Sequence, residues 1–143
     1  MPSLTQTLPN LEADGPCLKV TIAVTSAAEE AFAREGQSIP SPVAILALID
    51  TGATGTVIQQ GLAQQLGLQP VGTTRIQTPT SSDVLCDRYA VRLSFADGLM
   101  TLDTTVIEAP LRGVPIQCLI GRDVLSRGIL IYNGNIKQFT ICF

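Results

Sequence analysis

An all-β domain with one or two short helices is the fold class this sequence predicts. Three observations lead there. Apolar and β-branched residues gather in short runs bounded by Gly, Pro, Asn, Asp and Ser, as they do in strands. Two hairpin signals, Asp97-Gly98 and Asn133-Gly134, each join a pair of such runs. Only two stretches, 26–34 and 58–66, read as helical.

The elements follow in order. Residues 1–16 are polar and read as a flexible N-terminal tail, with 17–143 as the folded domain. Residues 17–24 (CLKVTIAV) are β-rich and partly alternating, which predicts a strand. Residues 26–34 (SAAEEAFAR) are rich in helix formers, with Ser26 the candidate N-cap and Gly36 the stop; they read as a short helix or a loop excursion. Ile39-Pro40-Ser41-Pro42 breaks structure and feeds a strand over 43–49. Over 58–66, Ile58, Leu62 and Leu66 share a helical face and Gly67 ends it. Residues 73–78 are β-branched, 79–83 (PTSSD) form a polar turn, and 84–95 read as a long strand whose second half alternates. Strands over 99–108, 129–132 and 137–143 complete the chain.

Composition narrows the function. The chain has 143 residues, 45% hydrophobic and 15% charged, which suits one compact domain with a real core. Net charge is −3, the nine basic residues are scattered, and aromatics make up 4%. That pattern argues against a nucleic-acid partner. No stretch approaches the apolar length that spans a bilayer, so no membrane segment is expected in this chain. Residues 1–16 lack the basic-then-apolar pattern of an export signal, which makes the cytoplasm the expected compartment. Cys17, Cys86, Cys118 and Cys142 are widely spaced and form no CxxC pair, so they are expected to be reduced and mostly buried. The chain has no histidine. Histidine-based triads and histidine-ligated metals are therefore excluded, and carboxylates are the acid–base groups that remain.

One stretch carries chemistry. Residues 43–49 are uninterrupted apolar sequence, and they deliver Asp50-Thr51-Gly52-Ala53. An Asp-Thr-Gly alone is an ordinary turn. At the end of a buried strand the carboxylate faces a desolvation cost, which asks for a reason. About seventy residues later a second apolar strand meets Gly121-Arg122-Asp123.

With Leu48-Ile49-Asp50-Thr51-Gly52-Ala53, the following Thr56-Val57-Ile58, and Leu119-Ile120-Gly121-Arg122-Asp123-Val124-Leu125, the chain resembles the retropepsin family. These are the single-domain aspartic proteases of retroviruses and their cellular and bacterial relatives. The resemblance spans roughly residues 17–143. It implies a retropepsin-like closed β fold with one DTG lobe per chain. Because the motif occurs once, it implies a homodimer with a two-fold axis through its site. The two Asp50 carboxylates would hold one proton between them. One would act as general base on a bound water while the other hydrogen-bonds the scissile carbonyl. The implied activity is that of an aspartic endopeptidase on a peptide or protein substrate, with no metal or cofactor.

The resemblance also implies roles for the neighbours. Thr51 would hydrogen-bond across the dimer axis. Gly52 would allow close approach and donate its N–H to the carboxylate. Ala53 cannot supply the hydroxyl that pepsin-like enzymes often place there, so activity is expected at milder pH than pepsin's. Gly121 would let the second strand pack under the loop, and Arg122 would tie the helix start to the loop and the dimer interface. Viral members carry an acid four residues after the catalytic Asp to pair with that arginine. This chain has Thr54 there, so Arg122 needs another partner. The hairpin over 75–89 takes the flap position, with Thr80, Ser81 and Ser82 at its tip and none of the glycines of viral flaps. Substrate would bind extended, like an added strand, with apolar side chains in the pockets. The apolar C-terminal run 139–143 serves either in the interface, as viral terminal strands do, or in the subunit's own sheet.

Two other readings stay open on sequence alone. One is the same fold used as a peptide-binding or dimerisation module with little catalysis, which turnover would distinguish. The other is a structural β domain whose DTG is coincidental. It predicts a monomer in which Asp50→Asn has no effect.

Overall fold

The computed structural model describes residues 1–78, 81–111 and 115–143. Its strands are β1 (Ser3–Thr7), β2 (Cys17–Ala23), β3 (Val43–Ile49), β4 (Val57–Gln59), β5 (Gly72–Thr78), β6 (Ser81–Phe95), β7 (Thr101–Ala109), β8 (Cys118–Ile120), β9 (Ile129–Asn133) and β10 (Gln138–Cys142). Among the described residues four short α-helices interrupt them: α1 (Leu11–Asp14), α2 (Ser26–Arg34), α3 (Leu62–Gln65) and α4 (Arg122–Leu125).

Alternation builds the core. Leu18, Val20 and Ile22 on β2 and Val91, Leu93 and Phe95 on β6 occupy one face of their strands, and all are buried. The larger sheet runs β2-β3-β8-β4-β7-β6-β5. β2 also pairs with the C-terminal half of β6, from Val20↔Phe95 to Ala23↔Arg92. The sheet thus closes on itself as a barrel. β5 adds to the N-terminal half of β6, from Gly72↔Arg88 to Thr78↔Ser81, as a hairpin arm outside the closed ring. Most neighbours are antiparallel, but β3–β8 and β4–β7 are parallel. A smaller antiparallel sheet, β1-β10-β9, packs Phe139 and Ile141 into the same core.

The expected all-β class with short helices and a closed sheet is the class observed, and several local expectations are corrected. Residues 1–16 are not a flexible tail. β1 pairs with β10 from Ser3↔Cys142 to Thr7↔Gln138, and Leu11 is 1% exposed in the core. The strand's partner lies at the far end of the chain, so no local pattern announces the pairing. The C-terminal run completes the subunit's own sheet, with β1 on one side of β10 and β9 on the other.

Residues 26–34 form a helix rather than a loop excursion. Its N-cap is Thr25, whose Oγ1 accepts the Ala28 N–H at 3.2 Å, and not Ser26. The helix buries no residue and is held to the barrel by charge. Arg92 pairs with Glu29 at 3.1 Å and Asp103 at 3.2 Å, and it also reaches the Ser26 hydroxyl.

Residues 58–66 are not one helix. Val57 and Ile58 are β-branched and extend between β7 and β8. Gly61, at φ 97°, then turns the chain into the four-residue α3.

Candidate active site

β3 is buried on alternate residues, Ile45, Ala47 and Ile49, and β8 runs parallel to it with Ile49 opposite Ile120. The last ladder contact is the Asp50 N–H donating to the Ile120 carbonyl at 2.9 Å. There the chain leaves the sheet. Asp50 is half-buried, and its Oδ1 accepts the Gly52 N–H at 2.9 Å. The Ala53 N–H returns to the Asp50 carbonyl at 3.2 Å, closing a tight turn. A Cβ on residue 52 would stand 3.1 Å from Asp50 Oδ1, closer than side-chain contacts normally come. Thr51 and Gly52 are exposed on the outside of the turn.

The turn is braced from beneath by the start of α4. The Arg122 N–H donates to the Ala53 carbonyl at 2.9 Å, and the Asp123 N–H donates to the Thr54 carbonyl at 3.2 Å. The Arg122 guanidinium supplies what the missing acid would have accepted. Its Nη1 donates to the Thr51 carbonyl at 2.7 Å and its Nη2 to Thr54 Oγ1 at 3.1 Å. A backbone carbonyl and a threonine hydroxyl are therefore the partners that Arg122 was expected to need in place of an acid. Gly121 makes the approach possible. A Cβ there would lie 2.6 Å from the Gly55 carbonyl carbon and oxygen, both backbone atoms that cannot yield cheaply.

Below the turn lies a polar knot that sequence reasoning missed. Thr56 is 1% exposed. Its Oγ1 donates to Asp123 Oδ1 at 2.8 Å and accepts the Gly121 N–H at 3.1 Å. The Thr56 N–H donates to Asp123 Oδ2 at 3.0 Å, and Asp123 Oδ1 also accepts the Val124 N–H at 2.9 Å. One hydroxyl and one carboxylate thus join the strand after the Asp50 turn to the strand–helix junction of the second motif. The available signal was a hydroxyl residue leading an apolar strand, because a buried polar group must find partners. Cys118, on β8 within this layer, is fully buried. Burial pushes its thiol up to about 12, and the Asp123 charge adds to the effect.

A cleft of about 870 Å³ opens between the residue 52–57 turn and the β5–β6 arm. Ala53, Val57, Ile76 and Ile107 give it an apolar lining, and Arg75 and Arg88 bring positive charge. Asp50 lies beside this space rather than among its lining residues. Of the predicted flap-tip residues, Thr80 lies outside the described residues. Ser81 and Ser82 open β6, with Ser81 paired to Thr78.

The family model described as aspartyl protease matches residues 41–124, more than half of the chain and the whole of the braced turn. The chain belongs to the aspartyl protease family. The fold of this family member agrees with solved structures. A retropepsin-like aspartic protease from Rickettsia conorii is similar over 97% of this chain and 89% of its own, at 13% identity and a TM-score of 0.57. EIAV protease, complexed with the inhibitor HBY-793, is similar over 84% of this chain and 92% of its own, at 19% identity and a TM-score of 0.51. No curated protein matches this family member in sequence. Among the described residues, no helix is long and apolar enough to cross a membrane.

Proposed function

We propose that the protein is an aspartic endopeptidase that works as a homodimer, activating water between two Asp50 carboxylates, one from each copy. The observation that supports this most directly is the braced, outward-facing turn. Each chain has one DTG carboxylate at the end of a buried strand, on a turn held by Arg122, with Thr51 and Gly52 uncovered. Family membership supports the same reading.

In the proposed reaction one Asp50 is ionised and the other carries the shared proton. The ionised carboxylate takes a proton from the bound water while the water oxygen adds to the scissile carbonyl carbon. The protonated partner hydrogen-bonds the carbonyl oxygen as charge develops there. The tetrahedral intermediate collapses when a proton reaches the amide nitrogen and the C–N bond breaks. No covalent enzyme intermediate forms. Thr51, exposed at the turn, contacts its counterpart's turn across the axis. The β5–β6 arm serves as the flap, closing over an extended peptide and excluding water. The cleft beside the turn receives a substrate side chain.

Only the Gly52 N–H donates to the Asp50 side chain among the described hydrogen bonds, and Ala53 has no hydroxyl to add. Activity is therefore expected to extend to milder pH than in enzymes with a hydroxyl residue at that position. The test is cleavage of a diverse peptide mixture from acid to neutral pH, read by mass spectrometry, with wild type beside Asp50→Asn. Cuts present in wild type and absent in the variant are expected. Cuts that survive Asp50→Asn, or none in a demonstrably dimeric wild type, would overturn the reading.

A further inference from the structure

We infer that Arg88 selects an acidic side chain of the substrate, drawing a glutamate into the cleft beside the Asp50 turn. The inference rests on the reading above, because it names the substrate class of that same site.

The strand register decides which charge faces the cleft. Arg88 on β6 stands opposite Gly72 on β5 and Ile107 on β7. Ile107 is in turn opposite Val57, on the strand that follows the Asp50 turn. Residues opposite each other, and residues two apart on one strand, share a face of the sheet. Arg88 therefore shares its face with Val57, Thr74, Ile76, Thr105 and Ile107, all of which line the cleft. Arg75 belongs to the other face of the β5–β6 arm, opposite Leu85, which is 60% exposed.

The Arg88 charge is also available. Arg92, four residues on and on the same face, is taken up by Glu29 and Asp103. Among the described residues Arg88 is in no salt bridge. Asp123 is the one acid among the described lining residues. Its oxygens already accept the Thr56 hydroxyl, the Thr56 N–H and the Val124 N–H. Thr54 and Gly55 line the cleft nearer the turn and add no charge. The result is a set of apolar walls with a cation among them.

An extended peptide beside the turn sends every second side chain to the same side. The cleft begins at Gly52 and runs away from Asp50 toward Thr105, so it takes a residue beyond the two that share the scissile bond. A purely apolar side chain there would cover the guanidinium without pairing it, which is unfavourable. A glutamate lays its two methylenes on Val57, Ile76 and Ile107 and turns its carboxylate to Arg88, whose planar fork suits two charge-assisted hydrogen bonds. The hydroxyls of Thr74 and Thr105 are further donors on that face. In a two-fold dimer the cleft occurs once on each side of the axis, so the acid preference should appear at one position on each side of the cut.

The test uses pairs of apolar peptides that differ only by Glu or Gln at one position, with that position moved along the peptide. The full chain is assayed at about pH 6, where glutamate is ionised. Wild type is expected to cleave the Glu member with a kcat/KM roughly 10-fold higher at one position on each side of the cut, and added salt should erode that ratio. Arg88→Gln should bring the ratio close to unity, and Arg88→Glu should turn the preference to Lys. Arg34→Gln removes the same charge from exposed α2 and should leave the preference intact. The same pairs, fluorescently labelled, are titrated into Asp50→Asn and followed by anisotropy, which reads selectivity without any bond being cut. No preference for Glu in cutting or in binding, or a preference that survives Arg88→Gln, overturns the inference. Glu-selective binding without cleavage by wild type refutes the enzyme reading alone. Cleavage blind to the charge refutes this inference alone, and neither cutting nor binding overturns both.

Discussion

Thr56→Val removes one hydroxyl from beneath the Asp50 turn and leaves the side chain's shape almost unchanged. In wild type the hydroxyl is buried, donates to Asp123 Oδ1 at 2.8 Å and accepts the Gly121 N–H at 3.1 Å. The valine cannot do either. Asp123 Oδ1 keeps the Val124 N–H and Oδ2 keeps the Thr56 backbone N–H, so the carboxylate is weakened rather than stranded. The Gly121 N–H loses its side-chain acceptor. A hydrogen bond to a charged acceptor contributes about 1.5–3 kcal/mol, and a buried unpaired donor costs about 1–3 kcal/mol. The exchanged methyl returns roughly 1 kcal/mol. The net expectation is a loss of about 2–4 kcal/mol, or roughly 5–15 °C in Tm for a chain of this size. The assay is urea unfolding followed by circular dichroism at one fixed protein concentration, because association adds concentration-dependent stability. Thr56→Ser keeps the hydroxyl and should lose no more than about 1 kcal/mol. A Thr56→Val protein within about 0.5 kcal/mol of wild type, or a serine variant as damaged as the valine one, would refute the reasoning.

Arg122→Lys retains charge but cannot span the Thr51 carbonyl and the Thr54 hydroxyl with one planar fork. Peptidase kcat should fall roughly 10-fold or more while KM changes little; full activity in the lysine variant would show that the fork does not position the turn. Cys118 should resist thiol reagents in the native protein, since burial raises its thiol to about 12 and closes off access. Its modification rate should track global unfolding across a urea series, and rapid native labelling would contradict the packing described. At Asp103, burial is the largest single influence and raises the carboxyl. The hydrogen bonds from Ser26 and Arg92 together outweigh it and hold the carboxyl below its ordinary range. A depressed carboxyl stabilises above its unfolded value near pH 4 and loses that contribution as pH falls through its folded value. The stability gap between wild type and Asp103→Asn should therefore shrink on acidification below about pH 4, starting from a small value because the pair is solvent-screened. A gap independent of pH would count against the ion pair that docks α2.

Legibility followed the range of the interactions. The strand that delivers Asp50 and the strand that ends at Gly121 were readable because unbroken apolar runs bounded by turn residues are local signals. The hairpin at Asp97-Gly98 was readable too, and it forms as a turn with Gly98 at φ 69°. Residues 58–66 misled because Ile58, Leu62 and Leu66 fit a helical face by spacing alone. The pairing of Val57 and Ile58 with two strands from elsewhere in the chain overrode that spacing.

By itself the sequence determined the β class, the placing of a lone acid after the strand at 43–49, and the absence of any histidine to serve in its stead. Those are properties of neighbouring residues, set by side-chain period and turn chemistry. Only the tertiary structure decided that residues 3–7 pair with the C-terminal strand, that Arg122 is satisfied by Thr51 and Thr54, and that Thr56 and Asp123 lock the two motifs together. The physical reason is shared by all three. Each partner is brought in from a remote part of the chain by long-range strand pairing, and its hydrogen bonds exist only once the apolar faces have packed.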